Sequence, residues 1–404
     1  MSQGSNLEPH SPKSLLQSTL AEMCGSSLEI PALNDLALRS LTFLLNKTER
    51  LFAQSVALDQ DGFHWGEASP KHTIIALLGL HRLAESGETP PFDVRLMHNA
   101  IWADTSWVRS LGDLGLLTWF TAECEPARLK NLFNQFDFSR ALARYSDGRP
   151  TQTKGLARLL AGIAHARLAC PRTLPDLTDV AVDAYHLLED NQGEGGIFGH
   201  GAPAGFLQRA FCKRFGTFSD QIYAIYALTT FARAFQIEEP LASALNCGNA
   251  IRTLQGEMGQ WWSLYDNCAS RVVRRYPVLT LHQGGTAPLG LLALGEATGQ
   301  NFCAPVCKGL AWIAGKNELR QDLRNLDRML IWDSIAQTSR LLKYWCAALS
   351  SMNIMYTPGK TSLRVRFSAR PDHFGWLLYA FGGFGLPKLA SPTRVVDLPS
   401  RVIS

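Results

Sequence analysis

A repeated unit constrains this chain more than any other feature of its sequence. Three times, a helical segment ends in a loop that combines Gln, Gly and an aromatic residue, and a more apolar helix follows. The loops cover 58–65, 189–198 and 254–262, and the helices after them contain 76–80, 223–228 and 287–294. Glycine permits the positive φ angles of tight turns, and a recurring supersecondary unit is typical of ringed or stacked architectures. The repeat therefore predicts helical hairpins whose connecting loops gather at one mouth of a ring.

Helical periodicity extends over most of the chain. Apolar spacing predicts helices at 32–58, 73–84, 92–103, 106–124, 154–170, 177–190, 219–235, 239–257, 286–298, 303–315, 334–349 and 371–382. Strand-like alternation occurs only at 363–367. Small residues in the most apolar helices suit close helix packing, and they include Ala76, Gly79, Ala227, Gly290 and Ala293. We predict an all-α protein, an α/α toroid in which an inner ring of helices is wrapped by an outer ring.

Length and composition set the expected domain organisation and exclude several function classes. Of the 404 residues, 46% are hydrophobic and 18% are charged, which leaves little surface for solvated tails. We expect a flexible leader at 1–14, a single toroid domain at 15–390 and a C-terminal tail at 391–404. The balance of 39 Lys and Arg against 35 Asp and Glu argues against nucleic acid as a partner. No run of about 18 uncharged apolar residues occurs, so no membrane span is expected.

The cysteine pattern and the absent motifs narrow the chemistry further. The nine cysteines are scattered and include no Cys-x-x-Cys, which favours reduced thiols in the cytoplasm. The N-terminus has no signal-peptide pattern. The sequence also lacks His-x-x-x-His, a phosphate-binding Gly-rich loop and a Gly-x-Ser-x-Gly elbow. We therefore expect no metal and no cofactor, and the sequence gives no indication of the oligomeric state.

Several segments resemble known toroid enzymes. The loops 60–63 and 192–198 resemble the Gln-Trp repeats of squalene and terpenoid cyclases, although the chain lacks the Asp-x-Asp-Asp acid of that family. Segment 261–266, with Tyr276 and 281–283 after it, resembles the toroid domain of glucuronyl C5-epimerases. The six-hairpin glycosidase superfamily is similar in the same way, and segment 309–318 resembles uncharacterised bacterial toroid proteins of polysaccharide gene clusters. These resemblances imply the toroid fold and a carbohydrate-active enzyme.

The densest group of polar and aromatic side chains lies between 260 and 283. Sugar rings stack on Trp and Tyr, and Arg binds carboxylates in bidentate geometry. The predicted substrate-binding residues of this segment are Trp261, Trp262, Arg274, Tyr276 and Gln283. Tyr265 and His282 are the predicted proton donors or acceptors. The structural alternative is that the Trp pair fills the ring and the Arg residues lie at the surface.

Further candidates lie at the starts of predicted helices and in the first repeat loop. Asp220 and His373 are predicted to be catalytic. Substrate binding is predicted for Tyr223, Arg370, Asp61 and Trp65. Each has a structural alternative: Asp220 is well placed to cap its own helix, and an Asp before Gly, such as Asp61, commonly forms a turn.

These features predict an enzyme that acts on a uronate-containing glycan by acid/base chemistry at a sugar carbon. Epimerisation, elimination and hydrolysis all remain open, and hydrolysis would need two carboxylates across the cavity, such as Asp220 with Asp61 or Asp333.

Two alternative functions remain open. One is a terpenoid cyclase-like or prenyltransferase-like enzyme, for which Asp266, Cys268 and His282 would imitate a zinc site. The other is a non-catalytic toroid that binds a glycan or a protein partner. Cavity polarity distinguishes the glycan-acting enzyme from the isoprenoid enzyme, because Arg and Asp favour sugars whereas a wall of Phe and Trp favours isoprenoids.

Overall fold

The helices alternate along the chain between an outer and an inner position. The computed structural model describes residues 19–20, 22–23, 29–46, 48–146, 153–171, 177–201, 213–338 and 362–385. The outer helices in these ranges are α1 (Ile30–Leu44), α3 (Val94–Ala103), α5 (Leu129–Gln135) with α6 (Phe138–Ser146), α8 (Thr178–Glu189), α10 (Glu239–Thr253) and α12 (Cys303–Ile313). The inner helices that follow them are α2 (Pro70–Glu85), α4 (Leu111–Cys124), α7 (Thr153–Ala169), α9 (Phe218–Phe235), α11 (Ala287–Thr298) and α13 (Pro371–Phe381).

The inner helices form a closed ring. Each packs against the next in the order α2, α4, α7, α9, α11 and α13, and the ring closes where α13 packs on α2. Burial follows this arrangement: α4 and α9 are buried on nearly every side, whereas outer α3 buries only Met97 and Ile101. The structure therefore confirms the predicted α/α toroid of helical hairpins.

Glycine permits two of the crossings between inner helices. A Cβ atom on Gly115 of α4 would overlap the backbone of α7 at Leu159, and one on Gly162 of α7 would overlap the Gly115 carbonyl oxygen. At the crossing of α2 and α13, a Cβ on Gly79 would overlap the Gly375 carbonyl oxygen. Because no side chain fits at such contacts, these positions require glycine.

Short strands occupy many of the loops, and most of these strands were not predicted from the sequence. The predicted helix 32–58 is wrong beyond Leu44, where the chain forms β1 (Leu45–Asn46), β2 (Leu51–Phe52), β3 (Val56–Asp59) and β4 (Gly62–Trp65). The Asn46 side chain accepts hydrogen bonds from the amides of Thr48 and Glu49, and Arg50 has φ 56°. These local bonds form a turn that competes with helix continuation.

The remaining strands complete three small three-stranded sheets and a hairpin. They are β5 (Phe215–Thr217), β6 (Leu264–Asp266), β7 (Arg271–Arg274), β8 (Val278–Leu279), β9 (Arg324–Asn325), β10 (Leu330–Ile331), β11 (Ser334–Gln337), β12 (Leu363–Arg366) and β13 (Ser368–Ala369). The sheets are β13-β3-β4, β5-β6-β7 and β12-β11-β8, and β9 pairs with β10.

Strand β12 confirms the strand predicted at 363–367. The helix predicted at 334–349 is wrong over β11, which pairs on both edges, and residues 339–349 lie outside the described residues. The predicted leader 1–14 and tail 391–404 also lie outside them, so those domain boundaries stay predictions.

A buried hydrogen-bond network joins four inner helices on the side of their C-terminal ends. The Oε1 atom of Glu123 accepts hydrogen bonds from the Tyr379 hydroxyl at 2.6 Å and from Arg82 at 3.1 Å, and lies 3.0 Å from Nδ1 of His165. Burial alone would raise the pKa of Glu123, but His165 and Arg82 lower it to about 2. The carboxylate is therefore the charged centre that holds these helices together.

We expect Gly115→Ala to lower the free energy of unfolding by about 1–3 kcal/mol, because the new methyl group forces α4 and α7 apart. Urea denaturation measures this change. Gly248→Ala on α10 is the matched control, since its Cβ would meet the end of the Leu294 side chain, which can move. That variant should stay within about 1 kcal/mol of the parent, and an equal loss in both would contradict the close-crossing argument.

We expect Glu123→Gln to lower the free energy of unfolding by about 3–5 kcal/mol, because Arg82 keeps its charge in the interior without a counter-charge. Asp35→Asn is the control, since it breaks the exposed pair with Arg39 and should change stability by less than about 1 kcal/mol. The folded pKa of Glu123 is depressed, so its stabilisation is present above the unfolded pKa of about 4 and is lost as the pH falls toward about 2. A parent–variant difference in urea unfolding that stayed constant down to pH 2 would count against this network.

Candidate active site

A cavity of about 840 Å³ opens at the N-terminal ends of inner helices α2, α4, α7 and α13. Its charged wall is predominantly cationic, with the lysines and arginines Lys71, Arg109, Arg140, Arg144, Lys154, Arg158 and Arg370. The acidic residues of the wall are Asp113, Asp137 and Asp372. The cavity therefore carries a positive charge excess, which draws anions toward it.

Two of the cations are neutralised by carboxylates of the same wall. Lys71 lies 2.8 Å from Asp113, which also belongs to the capping box that begins α4. Arg370 binds Asp372 through two parallel contacts of 3.1 and 2.7 Å. Burial opposes the charge on Asp372, but Arg370 holds the pKa of this carboxyl below its usual value. Both carboxyl groups are consequently engaged by a neighbouring cation.

Lys154 and Arg158 form no ion pair within the part of the chain that the structure describes. They lie one turn apart at the start of α7, and Arg158 donates a 2.9 Å hydrogen bond to the hydroxyl of Tyr223. Burial, followed by the charge of Arg158, lowers the pKa of Lys154 to about 8. Cations at a helix N-terminus oppose the helix dipole, and like charges one turn apart repel. This pair is therefore suited to an anion supplied from outside.

His72 contributes a neutral ring to the same wall. Its Nε2 atom lies 3.3 Å from the guanidinium of Arg370, and its Nδ1 atom lies 2.8 Å from the hydroxyl of Ser69. A guanidinium only donates hydrogen bonds, so Nε2 accepts and the proton resides on Nδ1. Burial lowers the pKa of His72, which is consistent with this uncharged tautomer at neutral pH.

Asp220 lies behind the cavity wall and caps α9. Its buried carboxylate accepts hydrogen bonds from the Thr217 amide at 2.8 Å and from the Lys154 amide at 3.3 Å. It also lies 2.8 Å from Nδ1 of His200, and this contact raises the pKa of that imidazole. The carboxylate thus holds the start of α9 against the start of α7, where Lys154 begins the cavity wall.

The two predicted catalytic histidines are buried beside one another at the same end of the ring. His282 begins a π-helical turn (His282–Thr286) ahead of α11, and its Nε2 atom lies 3.2 Å from the Ser219 hydroxyl. Nδ1 of His373 lies 3.4 Å from the hydroxyl of Thr280. Burial lowers the pKa of His282 to about 3 and that of His373 to about 4. Both rings are neutral at physiological pH, and neither belongs to the wall of the cavity.

The aromatic segment 260–283 packs its own loop onto the helices. Tyr265 is fully buried, burial raises its pKa, and its hydroxyl accepts a 3.0 Å hydrogen bond from the Trp262 amide. The ring of Trp261 stacks on Phe218 with centroids 5.2 Å apart. The carboxamide of Gln283 is oriented to donate to the Gly259 carbonyl and to accept from the Trp261 amide.

Tyr276 and Arg274 also make contacts inside this segment or to the residues that follow α12. The hydroxyl of Tyr276 donates to Glu318 at 2.6 Å, and Glu318 also accepts from the indole of Trp312 at 2.8 Å. Arg274 donates to the hydroxyl of Ser263. None of the residues predicted in 260–283 lines the cavity described above.

Asp61 and Trp65 lie on the exposed β3–β4 hairpin. Trp65 is 42% exposed and packs against Phe43, with ring centroids 5.2 Å apart. Strand β3 also pairs with β13, which immediately precedes Arg370. The hairpin is therefore next to the strand that precedes Arg370 of the cavity wall. Asp61 and Trp65 themselves do not line the cavity.

Of the predicted site residues, Arg370 lines the cavity directly, while Tyr223 and Asp220 contact residues that do. The other charged or titratable residues at the helix starts that line the cavity were not predicted from the sequence: Lys71, His72, Asp113, Lys154, Arg158 and Asp372. A signal for them exists, because each falls within the first two turns of an inner helix, and Ser110 with Asp113 forms a capping box. The functional roles predicted for individual residues stay predictions.

The described residues contain no cluster of three His, Cys, Asp or Glu side chains that would hold a metal ion. Asp266, a member of the zinc alternative, is bound by Arg214 through contacts of 3.0 and 2.8 Å. Its carboxylate therefore serves an ion pair. Across the same ranges, no helix has both the length and the apolar character needed to cross a membrane.

Several solved structures share the fold of this chain. A sugar epimerase from a ruminal bacterium superposes with a TM-score of 0.55 and 10% identity, over 92% of this chain and 99% of that chain. An unsaturated glucuronyl hydrolase from Streptcoccus agalactiae gives 0.54 and 13% identity, over 95% and 97%. A GH76 α-mannanase from Bacteroides thetaiotaomicron gives 0.53 and 9% identity, over 88% and 95%.

These similarities confirm the predicted α/α-toroid fold. No protein-family profile and no curated protein sequence matches the chain. The shared architecture is the α/α toroid, in which each successive helical hairpin contributes one inner helix to the ring.

We expect Asp220→Asn to lower the free energy of unfolding by about 1–3 kcal/mol, because the variant loses the charge that binds His200 and caps α9. Thermal and urea unfolding measure the change. Asp93→Asn is the matched control, since Asp93 caps exposed helix α3 and Asn caps helices equally well. Equal stability of both variants and the parent would show that Asp220 is not needed to hold α9, which would favour a chemical role.

Proposed function

We propose that this protein is a carbohydrate-active enzyme that acts on a uronate-containing glycan, with Lys154 and Arg158 binding the sugar carboxylate. The single observation that carries the proposal is this unneutralised cation pair at the mouth of the ring. A carboxylate between the two groups would supply the negative charge that the wall lacks, and charge-assisted hydrogen bonds are among the strongest that a protein forms.

The position of the pair supports an enzyme site. Inner-helix N-termini meet at this end, so backbone dipoles, His72 and ionised Asp372 lie along one wall with the cations. Such a set of fixed charges and a neutral imidazole is what acid/base chemistry at a sugar carbon requires. The names of the structural neighbours, a glucuronyl hydrolase and a sugar epimerase, describe reactions of the same general class.

The polarity of the cavity disfavours the isoprenoid alternative. Among the described residues, Phe136 is the one Phe, Tyr or Trp in its lining, and the charged residues surround it. A terpenoid or prenyl chain needs an extended apolar wall to replace water, and the ends of these helices do not provide one. The non-catalytic toroid is distinguished by experiment, because it would bind the glycan without changing it.

We expect oligogalacturonate or oligoglucuronate to bind at low ionic strength, and uncharged gluco-oligosaccharides of equal length to bind far more weakly. Lys154→Met and Arg158→Met should each weaken uronate binding by about tenfold to a hundredfold, because each removes a charge-assisted contact worth about 1.5–3 kcal/mol. Isothermal titration calorimetry measures both affinities.

Lys130→Met is the control for loss of a positive charge, since Lys130 is exposed on outer helix α5 away from the cavity wall. It should bind as the parent does. Equal affinity for charged and uncharged oligosaccharides, or no binding of either, would refute the proposed function.

A further inference from the structure

The surroundings of Lys154 leave its ammonium group without a committed counter-ion among the described residues. The charged and titratable groups that face it are Arg158 on its own helix, Asp220 and His200 from the side of α9, Arg370 and Asp372 from α13, and His282 from the π-helical turn. Both carboxylates in this set are already bound, Asp220 by Thr217 and His200 and Asp372 by Arg370. The cations and the helix dipole therefore act on Lys154 with little compensation.

These surroundings lower the pKa of Lys154, so that its charged form, which binds the carboxylate, coexists with a neutral fraction near neutral pH. With a pKa of about 8, about a tenth of Lys154 is unprotonated at pH 7, compared with about one in 2,500 for a lysine of ordinary pKa. A partly buried lysine next to another cation is one of the arrangements by which enzymes obtain a reactive amine. Arg158 and Arg370 retain their charge at every physiological pH, and Lys71 is paired with Asp113. The neutral form of Lys154, by contrast, is able to accept a proton.

The acids of the cavity are poorly placed for hydrolysis. Hydrolysis with two carboxyl groups needs one of them protonated to act as the acid. Arg370 holds the pKa of Asp372 below its usual value, so Asp372 is ionised, and Asp113 is paired with Lys71. Asp137 is exposed and accepts the amide of Arg140 at the start of α6. A reaction that starts with a base, rather than with a carboxylic acid, fits this wall better.

We infer that Lys154 is the catalytic base of the site and removes the proton from the carbon that bears the substrate carboxylate. This inference rests on the proposed function. The carbon–hydrogen bond breaks, the proton moves to Nζ of Lys154, and the electron pair moves into the carboxylate to give an enediolate. Arg158, which holds the carboxylate, stabilises the added negative charge.

The enediolate has two outcomes, and both balance. Return of a proton to the same carbon restores the substrate or, from the opposite face, gives its epimer. Departure of the oxygen substituent on the neighbouring carbon, with a proton from solvent, gives an unsaturated uronate. In both cases the proton held by Lys154 exchanges with solvent, so deuterium from the solvent is able to enter the substrate carbon whenever a proton returns to it.

Deuterium exchange tests this step whichever of the two products forms. Oligogalacturonate or oligoglucuronate is incubated with the protein in D2O, and mass spectrometry and proton NMR detect deuterium at the carbon next to the carboxylate or a new double bond. We expect one of these signals with the parent. Binding without either signal would overturn the role of Lys154 while leaving the uronate site intact, whereas no binding would refute the proposed function itself.

The variant Lys154→Arg distinguishes a catalytic base at this position from a residue that acts only through its positive charge. Arginine keeps the positive charge but does not deprotonate, so we expect uronate binding within about fivefold of the parent and exchange slowed by about a hundredfold or more. Lys154→Met should weaken uronate binding by about tenfold to a hundredfold and abolish the exchange. Exchange by Lys154→Arg at the parental rate would show that Lys154 acts only through its charge, and Lys130→Arg controls for the substitution.

Competitive acetylation of the parent gives a readout that needs no variant and no substrate. Limiting acetic anhydride is applied across a pH series, and peptide mass spectrometry follows the reactivity of each lysine. We expect Lys154 to titrate with a midpoint near pH 8. A midpoint above about pH 10, the ordinary range of a lysine, would overturn the inference, because no useful fraction of free amine would then exist at neutral pH.

Discussion

The close approach of the inner helices is the constraint on which the rest of this structure depends. At Gly115 with Gly162, and at Gly79 with Gly375, backbone packs on backbone without an intervening side chain. These contacts keep the ring narrow, so the first turns of α2, α4, α7 and α13 meet around one cavity. A wider ring would separate those turns, and the charged groups at their ends would face solvent instead of one another.

The two ends of the ring use charge in different ways. Where the helices end, Glu123 of α4 is surrounded by donors from three other inner helices, so its charge is compensated and holds the ring together. Where the helices begin, Asp113, Asp220 and Asp372 are favoured by the helix dipoles and are each bound by a partner. Lys154 and Arg158 are placed against the dipole of α7, and their charge remains available. This difference distinguishes the end that stabilises the fold from the end that we propose binds substrate.

Much of the architecture was predictable because local signals and packing agree. The apolar faces of α4, α7, α9 and α13 are spaced helically, and the Gln/Gly/aromatic loops each lead from an outer helix to an inner one. The same signals predicted helix wrongly beyond Leu44 and over β11, because turn hydrogen bonds or strand pairing override the apolar spacing there. The aromatic segment 260–283 looked like a site because Trp, Tyr and Arg suit sugars, yet its hydroxyl and amide groups are engaged in packing the loop.

The sequence by itself determined the helical hairpins, their order and the positions of small residues, because periodicity, capping residues and glycine act over a few neighbouring positions. Only the tertiary structure decided which charges meet. Lys71, Lys154 and Arg370 are far apart in the chain and carry no shared motif, and closure of the ring brings them to one wall. Whether a cation is neutralised depends on carboxylates contributed by other helices. No local sequence pattern predicts which of these groups lie close together in the folded chain.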